Sequence, residues 1–150
     1  MTANGNAVLV DANVLVYAYD QSEPAKQRRS LALLDELADG GRMVLTTQVL
    51  AEFFVVVSRR IVRPLDMAEA ARAVRNYVEM SMVLPVTPDV VLEAIRGTIV
   101  HRLAYWDAQV WAAARLADVL LVLSEDLARP TPLETVGFLD PFAAGFVLPW

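Results

Sequence analysis

Four acidic residues stand at positions that ordinary surface chemistry does not explain. Asp11 directly follows a short apolar run, residues 7–10, and Asp126 closes the segment Leu123-Ser124-Glu125-Asp126 behind a second run, residues 119–123. The other two fall inside apolar helical stripes. Glu52 lies three residues after Val49, on a stripe that continues through Phe53 and Val56. Asp107 leads a stripe with Val110, Trp111 and Ala114, at offsets of three, four and seven. At helical periodicity both phases point toward a core. A lone carboxylate there must be paired, hydrogen-bonded, protonated or bound to a metal, because desolvating its charge is costly. Counter-charges are scarce: the only lysine is Lys26, and several of the twelve arginines lie on polar faces or in Arg59-Arg60 and Arg63. Oxygen donors without His or Cys suit Mg2+ or Mn2+, not Zn2+. One or two such ions would activate a water and clamp the oxygens of an in-line phosphoryl displacement.

Each acid also has a plainer role open to it. Asp11 and Asn13 can serve as helix caps, and Asp107 can complement the dipole of a helix start. Asp126 follows an ordinary loop composition, and Glu125 can share its role. Glu52 has no local explanation between Val49 and Phe53. The combination of four carries the chemistry.

The elements that position these acids follow from the hydrophobic pattern. Residues 7–10 are apolar on both faces, as in the central strand of a parallel sheet. Asn13 is expected to cap a short helix. Ser22-Glu23-Pro24 opens a second helix, which runs through Leu31, Leu34 and Leu37 and stops at Gly40-Gly41. Residues 43–45 form a second strand, and Thr46 or Thr47 caps a helix over 48–58. Pro64-Leu65-Asp66 is a turn and cap for a helix over 67–80. Residues 82–84 are a third strand, Thr87-Pro88 starts a helix to about 102, and residues 105–117 form another. Residues 119–123 are a fourth strand. After Pro130 and Pro132 a last short strand is placed around 146–148. The result is a single α/β domain over 1–150, with a mostly parallel central sheet of four to five strands flanked by helices. Ligands of such sheets bind beyond the carboxyl ends of the strands, where Asp11 and Asp126 fall.

Composition narrows the chemistry further. The chain has no cysteine, which excludes disulfides, thiolate metal sites and cysteine nucleophiles. Its one histidine, His101, lies outside the acid motifs and is assigned a structural or surface role. The net charge of −5 is not that of a protein gripping nucleic acid over a broad basic face. The hydrophobic fraction of 56% exceeds the roughly 45–50% usual in soluble domains. No apolar run approaches the ~18 residues of a membrane span, and the first residues carry no basic n-region. No membrane association and a cytoplasmic location are therefore expected. The apolar excess fits either an Ala/Val/Leu-rich core or a surface covered by a partner.

Four segments in order resemble the PIN-domain ribonucleases, specifically the VapC-type toxins of bacterial toxin–antitoxin modules. They are Val10-Asp11-Ala12-Asn13-Val14-Leu15-Val16-Tyr17-Ala18, Thr46-Thr47-Gln48-Val49-Leu50-Ala51-Glu52-Phe53, Tyr105-Trp106-Asp107-Ala108-Gln109, and the stretch from Val119 through Ser124-Glu125-Asp126-Leu127. The resemblance spans nearly the whole chain and implies a PIN-like fold. It implies a Mg2+-dependent endoribonuclease, with Mn2+ as a substitute, that is usually homodimeric and held inactive by a small antitoxin protein. It assigns the metal-binding, catalytic acids to Asp11, Glu52, Asp107 and Asp126, with support from Asn13 and Ser124. One departure stands near the end, where Asp140-Pro141-Phe142 replaces the Asn-Pro-Phe common among relatives.

A carboxylate pocket repels phosphate, so bound metal must reverse the local sign, and basic residues should line the approach of RNA. Arg59, seven residues after Glu52, shares its helix face; with Arg60 and Arg63 it can hold flanking phosphates. The alternative is that these arginines complement the helix C-terminal dipole. Two other phosphotransfer folds fit less well: a receiver domain needs a lysine after its last strand, and a haloacid-dehalogenase-like hydrolase needs an acid where Asn13 stands. A catalytically silent binding module on the same fold is the remaining alternative.

Overall fold

The structure, a computed structural model, describes residues 5–150. Five strands, β1 (Val8–Val10), β2 (Met43–Thr46), β3 (Met82–Leu84), β4 (Leu121–Leu123) and β5 (Gly137–Leu139), form one all-parallel sheet in the order β3-β2-β1-β4-β5. The central strand is buried on both faces, so its residues are apolar without alternation. Val8 and Val10 point into one core and Leu9 into the other. The first core lies under α1 (Ala12–Tyr17), α2 (Pro24–Asp39), α3 (Thr47–Arg59) and α4 (Met67–Met80) and is built on Leu15, Leu37, Leu45, Phe53 and Tyr77. The second lies under α5 (Pro88–His101) and α6 (Tyr105–Leu116) and is built on Val44, Ala94, Trp111 and Val122.

Local sequence accounts for most helix starts. Thr46 caps α3, its hydroxyl accepting the Val49 amide at 3.1 Å. Asp66 and Glu69 form a reciprocal capping box on α4, and Thr87 caps α5 with Pro88 in the first turn. Thr47 does not cap. Its hydroxyl accepts the Val86 amide at 3.1 Å and ties the start of α3 to the segment after β3.

Two expectations are corrected. The cap of α1 is Asp11, whose carboxylate accepts the Ala12 amide at 2.8 Å, and Asn13 lies inside the helix. The helix starts one residue beyond the strand, so the residue at the junction is the one able to cap. The last strand is Gly137–Leu139, not 146–148. The later segment packs Phe146 and Leu148 against the first core, and Arg29 holds it by donating to the carbonyls of Pro141 (3.0 Å) and Phe146 (2.8 Å). Its backbone is thereby committed to a side chain rather than to a ladder.

The position of α6 depends on a close approach to α5. A Cβ on Gly97 would sit 2.8 Å from Cζ3 of Trp111, a ring that is fully buried. Gly97→Ala is therefore expected to destabilise, although alanine gains about 1 kcal/mol of helix propensity. Overpacking at about 1–3 kcal/mol outweighs that gain, and the net melting shift should be a fall of about 2–4 °C. A thermal melt of Gly97→Ala at or above the wild-type temperature would show that the indole has room to move.

Candidate active site

The strand order reverses direction between β1 and β4, which is where a parallel sheet opens a crevice beyond its carboxyl ends. Asp11 stands at that point, one residue past β1, with its backbone amide bonded to the Leu123 carbonyl at 2.9 Å. Ser124, one residue past β4, is fully buried and donates its hydroxyl to Asp11 Oδ2 at 2.7 Å. Ser124 Oγ also accepts the amides of Asp126 (3.2 Å) and Leu127 (3.3 Å), so it folds the turn that carries Asp126. Asn13 Nδ2 donates to Ser124 Oγ at 3.1 Å and to Asp126 Oδ2 at 3.3 Å, while its Oδ1 accepts the Glu125 amide at 3.3 Å. Asn13 and Ser124 thus join Asp11 and Asp126 in one hydrogen-bond network.

Helices bring the other two acids. Asp11, Glu52, Asp107 and Asp126 all line one open cleft of about 1010 Å³, and Val16, Val55, Val56 and Ile61 give it an apolar wall. Neither helical acid is in the core, contrary to expectation: Glu52 is half-buried and Asp107 exposed. The buried stripe of α3 is Val49, Leu50, Phe53 and Val57, and Glu52 lies on its border. Asp107 sits in the first turn of α6, before the helix passes under its neighbours. Its phase is right, but the chain has not yet been covered there.

Among the described residues none of the four acids forms an ion pair with a lysine or arginine. Lys26 is committed elsewhere. It lies 2.6 Å from Glu125 Oε2 and donates to Tyr17 Oη at 3.2 Å, and Tyr17 donates to Glu125 Oε1 at 2.8 Å. Glu125 is thus committed to its own pair and is not among the residues lining the cleft. Burial raises the Asp11 carboxyl above its ordinary range; the bonds from Ser124 and Ala12 oppose this, and the charges of Glu52 and Asp107 add to it. Asp107 is also raised, first by desolvation and then by Asp126. The repulsions link all four acids across the cleft.

The donor set, hard oxygens with uncompensated negative charge, fits a divalent cation of the Mg2+ class. The side chains do not close around a point: no group of three or more His, Cys, Asp or Glu among the described residues is disposed to hold a metal as it stands. Of the basic residues expected to meet phosphate, Arg60 lines the cleft and Arg59 does not. Arg63 donates to Gln21 Oε1 at 3.1 Å. His101 lies against Trp111 and 3.5 Å from Glu134 and is not among the residues lining the cleft. Three polar residues of the cleft were not singled out by sequence reasoning: Asp20, whose carboxylate accepts from Ser22, and the two glutamines Gln48 and Gln109. The only signal of the glutamines is placement, one helical turn before Glu52 and two residues after Asp107.

A carboxyl raised in the folded state above its ordinary value near 4 favours the native fold when protonated. Its stabilisation is complete below that value and lost as pH rises through the folded one. Glu93 and Glu134, lowered by Arg96, act in the opposite sense, so the difference between two proteins is the informative quantity. In chelator at pH 7, Asp107→Asn should melt above wild type by about 1–2 °C, allowing for solvent screening at this exposed group. The gap should vanish near pH 3. An amide variant that melts lower at pH 7 would mean that Asp107 is satisfied, not repelled.

The sequence profile described as the PIN domain matches residues 8–128. No curated protein sequence matches the chain. Among solved structures, VapC20 of Mycobacterium tuberculosis, described as a sarcin–ricin loop cleaving toxin, is similar at 16% identity and a TM-score of 0.60, covering 77% of this chain and 87% of that one. A toxin–antitoxin complex from Klebsiella pneumoniae is similar at 14% identity and a TM-score of 0.66, covering 91% and 98%. DNA-bound VapBC from Salmonella typhimurium is similar at 14% and 0.64, covering 90% and 98%. At these identities the likeness is one of fold.

Proposed function

The chain belongs to the PIN-domain family, and from that premise we propose that it is a divalent-metal-dependent endoribonuclease acting as the VapC-type toxin of a type II toxin–antitoxin pair. The observation that carries this reading is the convergence of Asp11, Glu52, Asp107 and Asp126, unpaired with any cation of the described residues, on one cleft at the reversal point of the sheet, which Asp20 also lines. Asp11, Glu52 and Asp107 would hold Mg2+, or Mn2+ in its place, with Asp126 as the outer ligand. When bound, such an ion lowers the pKa of a water and stabilises charge on the phosphate oxygens. The protein's own part is positional. Ser124 and Ala12 hold the Asp11 carboxylate at its two oxygens, and Asn13 keeps Asp126 within the same network. Arg60, at the cleft wall, would bind a flanking phosphate of the RNA.

Partners follow the same reading. The similar structures include toxin–antitoxin complexes, and the apolar wall of Val16, Val55, Val56 and Ile61 suits an antitoxin segment whose arginine pairs with the acids. An exposed stripe of Leu92, Ile95 and Ile99 on α5 supports a homodimer. No helix of the described residues is long and apolar enough to cross a membrane, and the proposed setting is the cytoplasm. On the dimer, sedimentation at about 10–50 μM, well above the range where obligate dimers dissociate, should give two copies, and Ile99→Glu should shift the species to one. A wild-type monomer would remove the homodimer from the reading.

The direct test maps RNA ends after incubation of total RNA with purified protein. Cleavage should require Mg2+ or Mn2+ and stop in chelator. Asp11→Asn, Glu52→Gln and Asp107→Asn should each lose at least about 100-fold in rate, equivalent to ~2.7 kcal/mol of barrier. Asp126→Asn should lose less. Undiminished cutting by Asp107→Asn would remove that acid from the machinery. Wild type that cuts no RNA under any metal would favour the catalytically silent module.

A further inference from the structure

A one-way chain of side-chain hydrogen bonds runs along the cleft and ends on Glu52. Tyr105 Oη donates to Gln109 Oε1 at 2.8 Å, and Gln109 Nε2 donates to Gln48 Oε1 at 2.7 Å. Gln48 Nε2 then donates twice, to Glu52 Oε1 at 2.9 Å and to the Trp106 carbonyl at 3.2 Å. The direction is forced by the acceptors at its end. A carboxylate and a peptide carbonyl cannot donate, so the Gln48 end that faces them must be its NH2. Its oxygen therefore meets Gln109, which must present its own NH2, and the remaining Gln109 oxygen requires the Tyr105 hydroxyl as donor. Gln109 is only 5% exposed, so an amide turned the wrong way there has little water to satisfy it.

We propose that Gln48, held in orientation by Gln109 and Tyr105, is a positioning residue that sets Glu52 relative to the first turn of α6 and so arranges Glu52 and Asp107 toward a divalent cation. The inference rests on the metal-dependent reading above and adds to it the device that spaces two of the acids. A single amide bridges the two helices, because the carbonyl it binds belongs to Trp106, the residue before Asp107. Groups that orient metal ligands in this way influence affinity without touching the ion. Gln48 and Glu52 are one turn apart on α3, as Tyr105 and Gln109 are on α6, so the helical repeat aligns all four groups.

The test is titration of the full chain with Mn2+ by calorimetry, beside thermal melts and RNA cleavage at graded Mn2+. Gln48→Leu keeps the size and removes the amide; it should weaken Mn2+ binding by roughly 10- to 100-fold. Tyr105→Phe should weaken it by a smaller factor. Gln109→Glu is nearly isosteric but presents an oxygen where Gln48 needs a donor, and should weaken binding as Gln48→Leu does. In each variant kcat should return toward the wild-type value at saturating Mn2+ with KM for RNA unchanged, which Glu52→Gln should not allow. Wild-type Mn2+ affinity in folded Gln48→Leu and Gln109→Glu overturns the proposal, and so does a lowered melting temperature with unchanged affinity. If Gln48→Leu does not fold, Tyr105→Phe, which lacks a single hydroxyl, decides by the same readout. Wild type that binds no Mn2+ at about 1–10 mM, a range that fills weak carboxylate sites, overturns the metal reading itself, and its own titration distinguishes that case.

Discussion

Asp11 carries its charge at the point where the strand order of the sheet reverses, one residue beyond a strand buried on both faces. Burial there penalises the ionised form, and the acids across the cleft penalise it further. The fold compensates with two directed donors, the Ala12 amide at the start of α1 and the hydroxyl of the fully buried Ser124. Those donors fix the junctions after both central strands. The same Ser124 oxygen shapes the turn that carries Asp126, so the bonds around the Asp11 carboxylate position the first acid, start a helix and reach the loop of the fourth. The sheet, the first helix and the site share a single anchor.

Much of this was legible in the sequence, because a parallel sheet makes its central strands apolar and leaves polar residues conspicuous at their ends. Asp11 and Asp126 stood out for that reason, while Ser124 entered only through the family resemblance, and a mostly parallel sheet flanked by helices follows from the alternation of strand and helix patterns. The boundary between core and cleft was less legible. Glu52 and Asp107 have core phases on a helical projection, but a projection does not say where along its axis a helix is covered. Glu52 lies at the stripe's edge and Asp107 in an uncovered first turn, so both open into the cleft. Arg59 and Arg60 show the same limit: both are exposed, and only Arg60, one residue further round the helix end, lines the cleft.

The tail and the glutamines were hidden for different physical reasons. Gly137–Leu139 is a three-residue strand behind two prolines, too short for its pattern to stand out, whereas the more apolar segment around Phe146 is held by Arg29 through its carbonyls. Whether apolar residues join a ladder is decided by which partner reaches their backbone, and that partner is more than a hundred positions away in the chain. Gln48 and Gln109 are polar residues in helices, unremarkable in isolation. Their meaning lies in the 2.7 Å contact between two helices far apart in sequence.

The distribution of positive charge bears on how an acidic protein would meet the anionic substrate proposed for it. A cluster of carboxylates could be neutralised internally by a nearby lysine, and Lys26 is close in the fold, yet it is bound to Glu125 and Tyr17 and packs over the Tyr17 ring at 4.7 Å. Lys26 is thus committed to Glu125, and none of the four acids forms an ion pair with a cation of the described residues. On the opposite face Arg96 and Arg115 are likewise paired, with Glu93 and Glu134. Of the basic side chains, Arg60 stands at the cleft itself. The local charge is consequently set by what enters: a divalent cation would make the cleft attractive to phosphate, and a guanidinium from a partner protein would occupy the same carboxylates. Acids that form no ion pair with the protein's own cations, even with Arg60 at the cleft wall, can be governed by either.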